Sequence, residues 1–159
     1  LAGEIANGIL FSNVSPEYIV GVMPQLINGA KIVDRDSNRI DLGCLILTAP
    51  EWSQEATYRV WEAIAHRCAM SHYQKMFEQL GFSKETKLVA QLVNAGDLQK
   101  AIDLIPKELV ESVSLIGDPK LWPKRLDDYK KVGISLPVIR PMTNLIESLR
   151  LIKETSYIF

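Results

Sequence analysis

Four polar residues stand where apolar runs of this sequence end: Ser12, Asn13, Thr48 and Arg140. A hydroxyl, a side-chain amide and neighbouring backbone N–H groups are suitable donors to a phosphate. The planar fork of an arginine guanidinium favours phosphate or carboxylate groups. Ser12, Asn13 and Arg140 are therefore suited to bind an anionic group, and Thr48 should lie near the same strand ends. The ordinary alternative is that Ser12 and Asn13 shape a turn and that Arg140 forms a surface salt bridge.

The histidines and cysteines predict neither a metal site nor a nucleophile. His66 and His72 lie six positions apart on one predicted helix, so they do not share a helical face, and no carboxylate completes a zinc pattern. Cys44 and Cys68 are too few for a disulfide framework and are predicted to be buried thiols in a reducing compartment. The sequence also lacks a P-loop, a dinucleotide-binding glycine motif and a serine-hydrolase elbow.

Length and composition are those of a globular chain. The 159 residues, 47% apolar and 23% charged, are predicted to form a single unit spanning residues 1–159. A net charge of −1 argues against a nucleic-acid partner. No apolar run approaches the ~20 residues that span a bilayer, and no signal peptide is visible. The sequence thus predicts a cytoplasmic protein that binds small molecules, with no membrane contact.

Three short apolar runs predict strands that are buried on both faces. They comprise residues 8–12, 42–48 and 134–140. The stretches between them carry helical spacing, helix caps and helix stops. This alternation predicts an α/β fold with parallel strand pairing and right-handed crossovers.

Caps and breakers predict the helix boundaries. Ser15 caps a helix that begins at Pro16 and contains Pro24, a residue able to kink or break it. A continuous apolar stripe predicts one long helix that opens near residue 51 and ends at Gly81. Pro123 falls just beyond the turn where proline is free, so its helix is predicted to start late or bend. Further caps and stops are predicted at Ser83, Asp97, Gly117, Asp118 and Asn144, the last in a capping box with Glu147.

The three predicted strands do not make a complete sheet. In a parallel sheet the two outer strands would leave their backbone groups unpaired. The chain also begins at Leu1, inside what looks like the end of a helix. We therefore expect further strands, supplied either by a missing segment or by another chain.

Several motifs, in this order and spacing, resemble one enzyme family. The segments GEIANGILF (residues 3–11) and SPEY (15–18) resemble the sixth-strand region of bacterial-luciferase-like oxidoreductases. The segments LIPKELV (104–110) and LIGDP (115–119) resemble the family's P-x-E-x-V and G-T-P stretch, and LDDYKKVGI (126–134) resembles the approach to its eighth strand. Asn7 and Asp118 depart from the usual aspartate and threonine, although Asp118 caps a helix equally well.

The resemblance implies the C-terminal part, about strands six to eight with helices, of a (β/α)8 TIM barrel. In such a barrel the cofactor lies at the carboxyl ends of the strands. Ser12 and Asn13 would then bind the cofactor on its phosphate and ribityl side, and Thr48 and Arg140 would contact the substrate. The similarity is greatest to the methylenetetrahydromethanopterin-reductase-like group, which favours coenzyme F-420 over flavin mononucleotide (FMN).

The implied activity is hydride transfer between a flavin or deazaflavin and an organic substrate, with the cofactor carrying the chemistry. No catalytic residue is predicted in this chain, because strands one to five would carry most of the ring-binding residues. The alternative is a non-catalytic fragment or ligand-binding subunit that completes its sheet by forming a homo-oligomer.

Overall fold

Short parallel strands alternate with helices in the computed structural model, which describes residues 1–155. The strands are β1 (Gly8–Ser12), β2 (Asp41–Pro50), β3 (Ser114–Gly117) and β4 (Leu136–Pro141). The helices are α1 (Ala2–Ile5), α2 (Pro16–Ile32), α3 (Gln54–Cys68), α4 (Ser71–Gln79), α5 (Ser83–Asn94), α6 (Leu98–Asp103), α7 (Lys107–Val113), α8 (Trp122–Lys131) and α9 (Leu145–Thr155). Within this range no helix has both the length and the apolar character needed to cross a bilayer.

The strand β2 is the centre of a parallel sheet, as the alternating pattern predicted. β1 pairs with the first half of β2, from Gly8 opposite Asp41 onward, and β3 pairs with its last four residues. β4 pairs along the middle of β2, from Gly43 to Thr48. Because β4 overlaps both other partners, β1 and β3 must share one edge of β2 and β4 must occupy the other.

The sequence did not predict the strand β3, which is additional to the three predicted strands. Leu115 and Ile116 looked like the end of a helix closed by Gly117, but residues 114–117 are extended and Gly117, with a φ of 94°, ends a strand. β2 explains the difference, because it continues two residues beyond Thr48 and its exposed backbone pairs with this segment. Asp118 then caps a short 3-10 turn by accepting a hydrogen bond from the Lys120 N–H.

The long helix predicted between residue 51 and Gly81 is two helices, α3 and α4. α3 ends at Cys68, and Met70 has extended backbone angles. The side-chain amide of Gln74 donates to the freed Cys68 carbonyl at 3.0 Å, which compensates one hydrogen bond lost at the break. The apolar spacing continues across the break, and this is why periodicity alone predicted one helix.

Two of the predicted caps form as expected. Ser15 accepts from the Tyr18 N–H at 3.2 Å, and Asp97 accepts from the Lys100 N–H at 3.3 Å. Pro24 does not interrupt α2. Pro123 lies within the first two positions of α8, where a missing N–H costs nothing, because a 3-10 turn precedes that helix.

One predicted cap does not form, and another forms without its predicted capping box. Ser83 is the first residue of α5 rather than its cap, which is Phe82. Asn144 accepts from the Glu147 N–H at 3.0 Å, but the Glu147 carboxylate does not return the bond. It accepts a hydrogen bond from the Ser53 hydroxyl at 2.7 Å instead, tying α9 to the start of α3.

A close helix contact precedes β1. Gly3 in α1 lies against Gly29 in α2, and a Cβ at position 3 would be only 2.1 Å from the Leu26 carbonyl oxygen. Arg35 donates to the Ala6 carbonyl at 2.9 Å, near the end of α1. This contact gives a physical reason for a small residue in the GEIANG segment.

Candidate functional site

The carboxyl ends of β1, β2 and β4 bring the four predicted site residues to one end of the sheet. Ser12 is the last residue of β1, and Asn13 follows it. Arg140 is paired with Leu47 in the register of β4 on β2, and Thr48 lies one position further along β2. The four residues are therefore near the same sheet end, as parallel pairing requires.

The pleat of the sheet divides them between its two faces. Residues paired in register point the same way and alternate along each strand. Ser12, paired with Leu45, and Arg140, paired with Leu47, therefore share one face, whereas Thr48 points to the other. Only Ser12 and Arg140 can thus contact a ligand on the same face of the sheet.

The face that carries Ser12 and Arg140 is largely uncovered, and we call it the open face. It is formed by Leu10, Ser12, Gly43, Leu45, Leu136, Val138 and Arg140, and Leu47, which is paired with Arg140 on this face, is fully buried. Leu10 and Leu136 expose 60% and 61% of their surface, although both lie within strands. They border an apolar groove of about 500 Å³. Exposed apolar side chains on a strand face indicate a surface that another element or a ligand covers.

Thr48 lies on the opposite, closed face with Cys44 and Ile46. All three side chains are fully buried. The Thr48 hydroxyl has no hydrogen-bond partner within residues 1–155. The same is true of the Asn13 Nδ2 atom, and an unpaired buried polar atom is costly.

Asn13 adopts a left-handed backbone conformation, with a φ of 53°, which asparagine tolerates better than most residues. Its side-chain oxygen accepts two hydrogen bonds. One comes from the Arg67 guanidinium of α3 at 2.9 Å, and the other from the Ser12 hydroxyl at 3.1 Å. The buried Asn13 is therefore a link between Arg67 and Ser12 rather than a group that faces the open face.

Two tyrosine hydroxyls hold the backbone of the same turn. Tyr73 of α4 donates to the Ser12 carbonyl at 2.9 Å, and Tyr129 of α8 donates to the Val14 carbonyl at 2.8 Å. Burial raises the pKa of the Tyr129 phenol, so it remains a donor at neutral pH. Side chains from three helices thus fix residues 12–14, which we call the pinned turn.

Arg140 is exposed, and its guanidinium has no hydrogen bond or ion pair to any part of the described chain. Within residues 1–155, the guanidinium therefore does not form the salt bridge considered as its ordinary role. An unpaired guanidinium at the end of the open face is suited to bind a phosphate or carboxylate.

The two histidines lie on different helices, and only His72 is near the pinned turn, with its ring centroid 4.5 Å from that of Tyr73. His66 is in α3 and His72 is in α4, on either side of the helix break. No group of histidine, cysteine and carboxylate side chains among residues 1–155 is arranged to hold a metal ion.

Sequence reasoning missed Arg67, Tyr73 and Tyr129. Each acts on the pinned turn from a distant part of the chain, with Arg67 lying 54 positions from Asn13 and Tyr129 lying 115 positions from Val14. The pairs match no short motif, so the single sequence contains no signal that would have found them.

A family comparison identifies the family to which the chain belongs. The family model for luciferase-like monooxygenases matches residues 1–136, most of the chain. The chain belongs to the luciferase-like oxidoreductase family.

Among curated proteins, the chain is 24% identical over 139 residues to 5,10-methylenetetrahydromethanopterin reductase of Methanopyrus kandleri. The match covers 87% of this chain and 40% of that protein, so the chain spans less than half of its relative's length.

Two solved structures share the fold. The coenzyme F-420-dependent tetrahydromethanopterin reductase from Methanopyrus kandleri aligns with a TM-score of 0.79 at 24% identity, over 95% of this chain and 44% of that one. An F-420-dependent secondary alcohol dehydrogenase, in complex with an F-420–acetone adduct, aligns with a TM-score of 0.65 at 15% identity, over 96% and 43%.

Proposed function

We propose that this chain forms part of a coenzyme F-420-dependent oxidoreductase that transfers a hydride to or from a small organic substrate. The curated relative and both structural relatives are reductases or dehydrogenases, and both structural relatives depend on F-420. The observation that carries the proposal is the open face, which ends in an unpaired guanidinium and a serine hydroxyl at the carboxyl ends of the strands.

We further propose that β1, β2 and β4 correspond to strands six, seven and eight of a barrel. Within residues 1–155, the outer edges of β1 and β4 pair with no other strand. Unpaired edges beside an apolar open face support a sheet that further strands complete. A homo-oligomer would satisfy the same edges and is the alternative.

The residues present fit such a cofactor and its substrate. F-420 supplies the hydride chemistry when it is bound. Ser12 lies on the open face where the cofactor's polar side chain would pass, with Asn13 behind it, and Arg140 would bind an anionic group of the substrate. The apolar groove between Leu10 and Leu136 lies toward the amino ends of the strands, so further strands rather than the cofactor would cover it. We assign no proton transfer to the described residues.

The proposal is tested by adding F-420 or FMN to the native-length protein and following absorbance and fluorescence. We expect saturable binding of F-420, weaker binding of FMN, and loss of the oxidised F-420 absorbance when a substrate such as a reduced methanopterin is supplied. Binding without turnover of any tested alcohol or pterin would favour the non-catalytic alternative. Binding of neither cofactor would refute the proposed function.

Replacing Arg140 tests its assignment to the substrate. We expect Arg140→Gln to raise the KM of an anionic substrate about 10-fold or more, since a charge-assisted hydrogen bond contributes about 1.5–3 kcal/mol. The dissociation constant of F-420 should stay unchanged. Arg39→Gln is the matched control, because Arg39 is exposed at the opposite end of the sheet. A weaker F-420 affinity with an unchanged KM would move Arg140 to the cofactor instead.

Replacing Thr48 separates a binding role from a packing role. Thr48→Val removes a buried hydroxyl that has no partner and keeps the side-chain shape. We expect the free energy of unfolding to change by less than about 1 kcal/mol or to rise. If Thr48 contacts the substrate, KM rises in steady-state kinetics of the same sample. An unchanged KM would remove Thr48 from the proposed site.

A further inference from the structure

Arg67 determines the direction of the hydrogen bonds in the pinned turn. A guanidinium has only donors, so the side-chain atom of Asn13 that faces Arg67 at 2.9 Å must be the oxygen. The same oxygen lies 3.1 Å from the Ser12 hydroxyl. Because a carbonyl oxygen only accepts, the Ser12 hydroxyl is the donor in that contact.

In this arrangement the single proton of the Ser12 hydroxyl is used in the hydrogen bond to Asn13. What remains on the Ser12 oxygen are lone pairs, and they are directed away from Asn13. The Ser12 side chain is exposed and lies on the open face. Toward a ligand on that face, Ser12 is therefore a hydrogen-bond acceptor.

The Asn13 amide has no favourable alternative orientation. Rotating it would place its NH2 group against the donors of Arg67 and would leave its oxygen buried where Nδ2 now has no partner. Arg67 is itself held in place, because it donates to the Ala63 carbonyl at 2.8 Å and its guanidinium lies 5.6 Å from the centre of the Tyr73 ring. The direction of the bonds is thus built into the packing.

An acceptor at Ser12 discriminates between the two parts of a flavin-type side chain. The oxygens of an ionised phosphate are acceptors and cannot bond to a second acceptor, whereas the hydroxyl groups of a polyol can donate to it. We propose that Arg67 is a positioning residue that makes Ser12 an acceptor for the hydroxyl groups of a ribityl chain. This inference rests on the proposed function and assigns the phosphate to other residues.

The inference is tested with three ligands and two substitutions at one position. The ligands are F-420, the phosphate-free deazaflavin that keeps the ribityl chain, and the deazaflavin ring without that chain. We call the second ligand the ribityl deazaflavin. Arg67→Met removes the donors and keeps an apolar stem, whereas Arg67→Lys keeps a group that can only donate. Dissociation constants are measured by fluorescence titration of the native-length protein, and melting temperatures are recorded on the same samples.

We expect Arg67→Met to weaken the binding of F-420 and of the ribityl deazaflavin about 5-fold each, corresponding to one neutral hydrogen bond. Binding of the bare ring should not change, and Arg67→Lys should recover most of the loss. The matched control is Arg35→Met, which also removes an arginine that bonds a backbone carbonyl, but at the amino end of β1. It should lower the melting temperature without changing the ratio between the affinity for the ribityl deazaflavin and the affinity for the bare ring.

Four results would overturn the inference. The first is a loss confined to F-420, which would show that Ser12 contacts the phosphate. The second is wild-type affinity of Arg67→Met for all three ligands, and the third is an equal loss for all three, including the bare ring. In these three cases the wild-type protein still binds F-420, so the proposed function stands. The fourth is a wild-type protein that binds none of the ligands, which overturns the proposed function and this inference with it.

Discussion

Raising the pH from about 8 to about 10.5 is expected to lower the free energy of unfolding by about 4 kcal/mol, because two buried thiols release their protons only when the chain unfolds. Burial raises the pKa of the Cys44 thiol from 9.0 to about 11 and the pKa of the Cys68 thiol from 9.0 to about 12. Both side chains are fully buried in the hydrophobic core.

The sign follows from the protons bound in each state. The folded thiols keep their protons over most of this range, whereas the unfolded thiols ionise above their ordinary pKa of 9.0. The stability that Cys44 and Cys68 contribute is fully present below about pH 9. It is lost at about 1.4 kcal/mol per pH unit for each thiol as the pH rises toward the folded pKa values. The raised pKa of Tyr129 adds to the loss at the upper end of the range.

Urea unfolding of the native-length protein at a series of pH values measures this slope. The variant Cys68→Ala should lose about half of the alkaline slope, and the double variant with Cys44→Ala should lose most of it. Slopes are compared rather than absolute stabilities, because each substitution also changes packing. Tyr58→Phe, at an exposed position, is the control and should keep the full slope. An unchanged slope in the double variant would mean that the thiols do not cause the effect.

The substitution Gly3→Ala is expected to lower the free energy of unfolding by about 3 kcal/mol, which is the second large effect. The Cβ of Gly3→Ala would lie 2.1 Å from the Leu26 carbonyl oxygen and 2.7 Å from the Ala30 nitrogen. Both are backbone atoms of α2 and cannot rotate away, so one helix must move. Since only two residues separate α1 from β1, that movement also displaces the start of the strand.

Gly21→Ala is the matched control for this substitution. Gly21 also lies in α2, but a Cβ there would meet no atom within 4 Å. Replacing a glycine inside an exposed part of a helix should raise the free energy of unfolding by about 0.5–1 kcal/mol. Equilibrium urea unfolding of both variants gives the two values. Equal stability of Gly3→Ala and the wild type would contradict the close packing of α1 against α2.

The parallel α/β arrangement was predictable because strands buried on both faces have a strong sequence signature. Continuous apolar runs placed β1 at its observed bounds and placed β2 and β4 within two residues of theirs. β3 has no such signature. Its four residues form a strand because β2 extends past Thr48 and offers backbone partners, which is a tertiary cause.

The helix break near Met70 was equally hidden. Apolar residues keep their helical spacing from α3 into α4, and the Gln74 side chain that satisfies the Cys68 carbonyl lies beyond the break. The spacing of apolar residues indicates which side of a helix faces the core. It does not indicate where a helix ends when no glycine or proline marks the end.

The candidate site was predictable only at the level of strand ends. Parallel pairing brings Ser12, Thr48 and Arg140 to one end of the sheet, and the sequence suffices for that. Which face each side chain occupies follows from the register, which depends on strand pairing. The contact between Arg67 and Asn13 joins residues that only the completed fold brings together.

The partners of the central strand β2 lie at very different distances from it along the sequence. This difference should determine the order in which the strands pair during folding. β1 and β2 are joined through the single helix α2, whereas β4 reaches β2 only after the long helical segment and β3. Closing a longer loop costs more chain entropy before its contacts form, so the β1–α2–β2 unit should assemble first. During synthesis on the ribosome, that unit emerges while β4 is still untranslated. The edge of β2 that β4 later occupies is then open to binding by a chaperone or by another nascent chain.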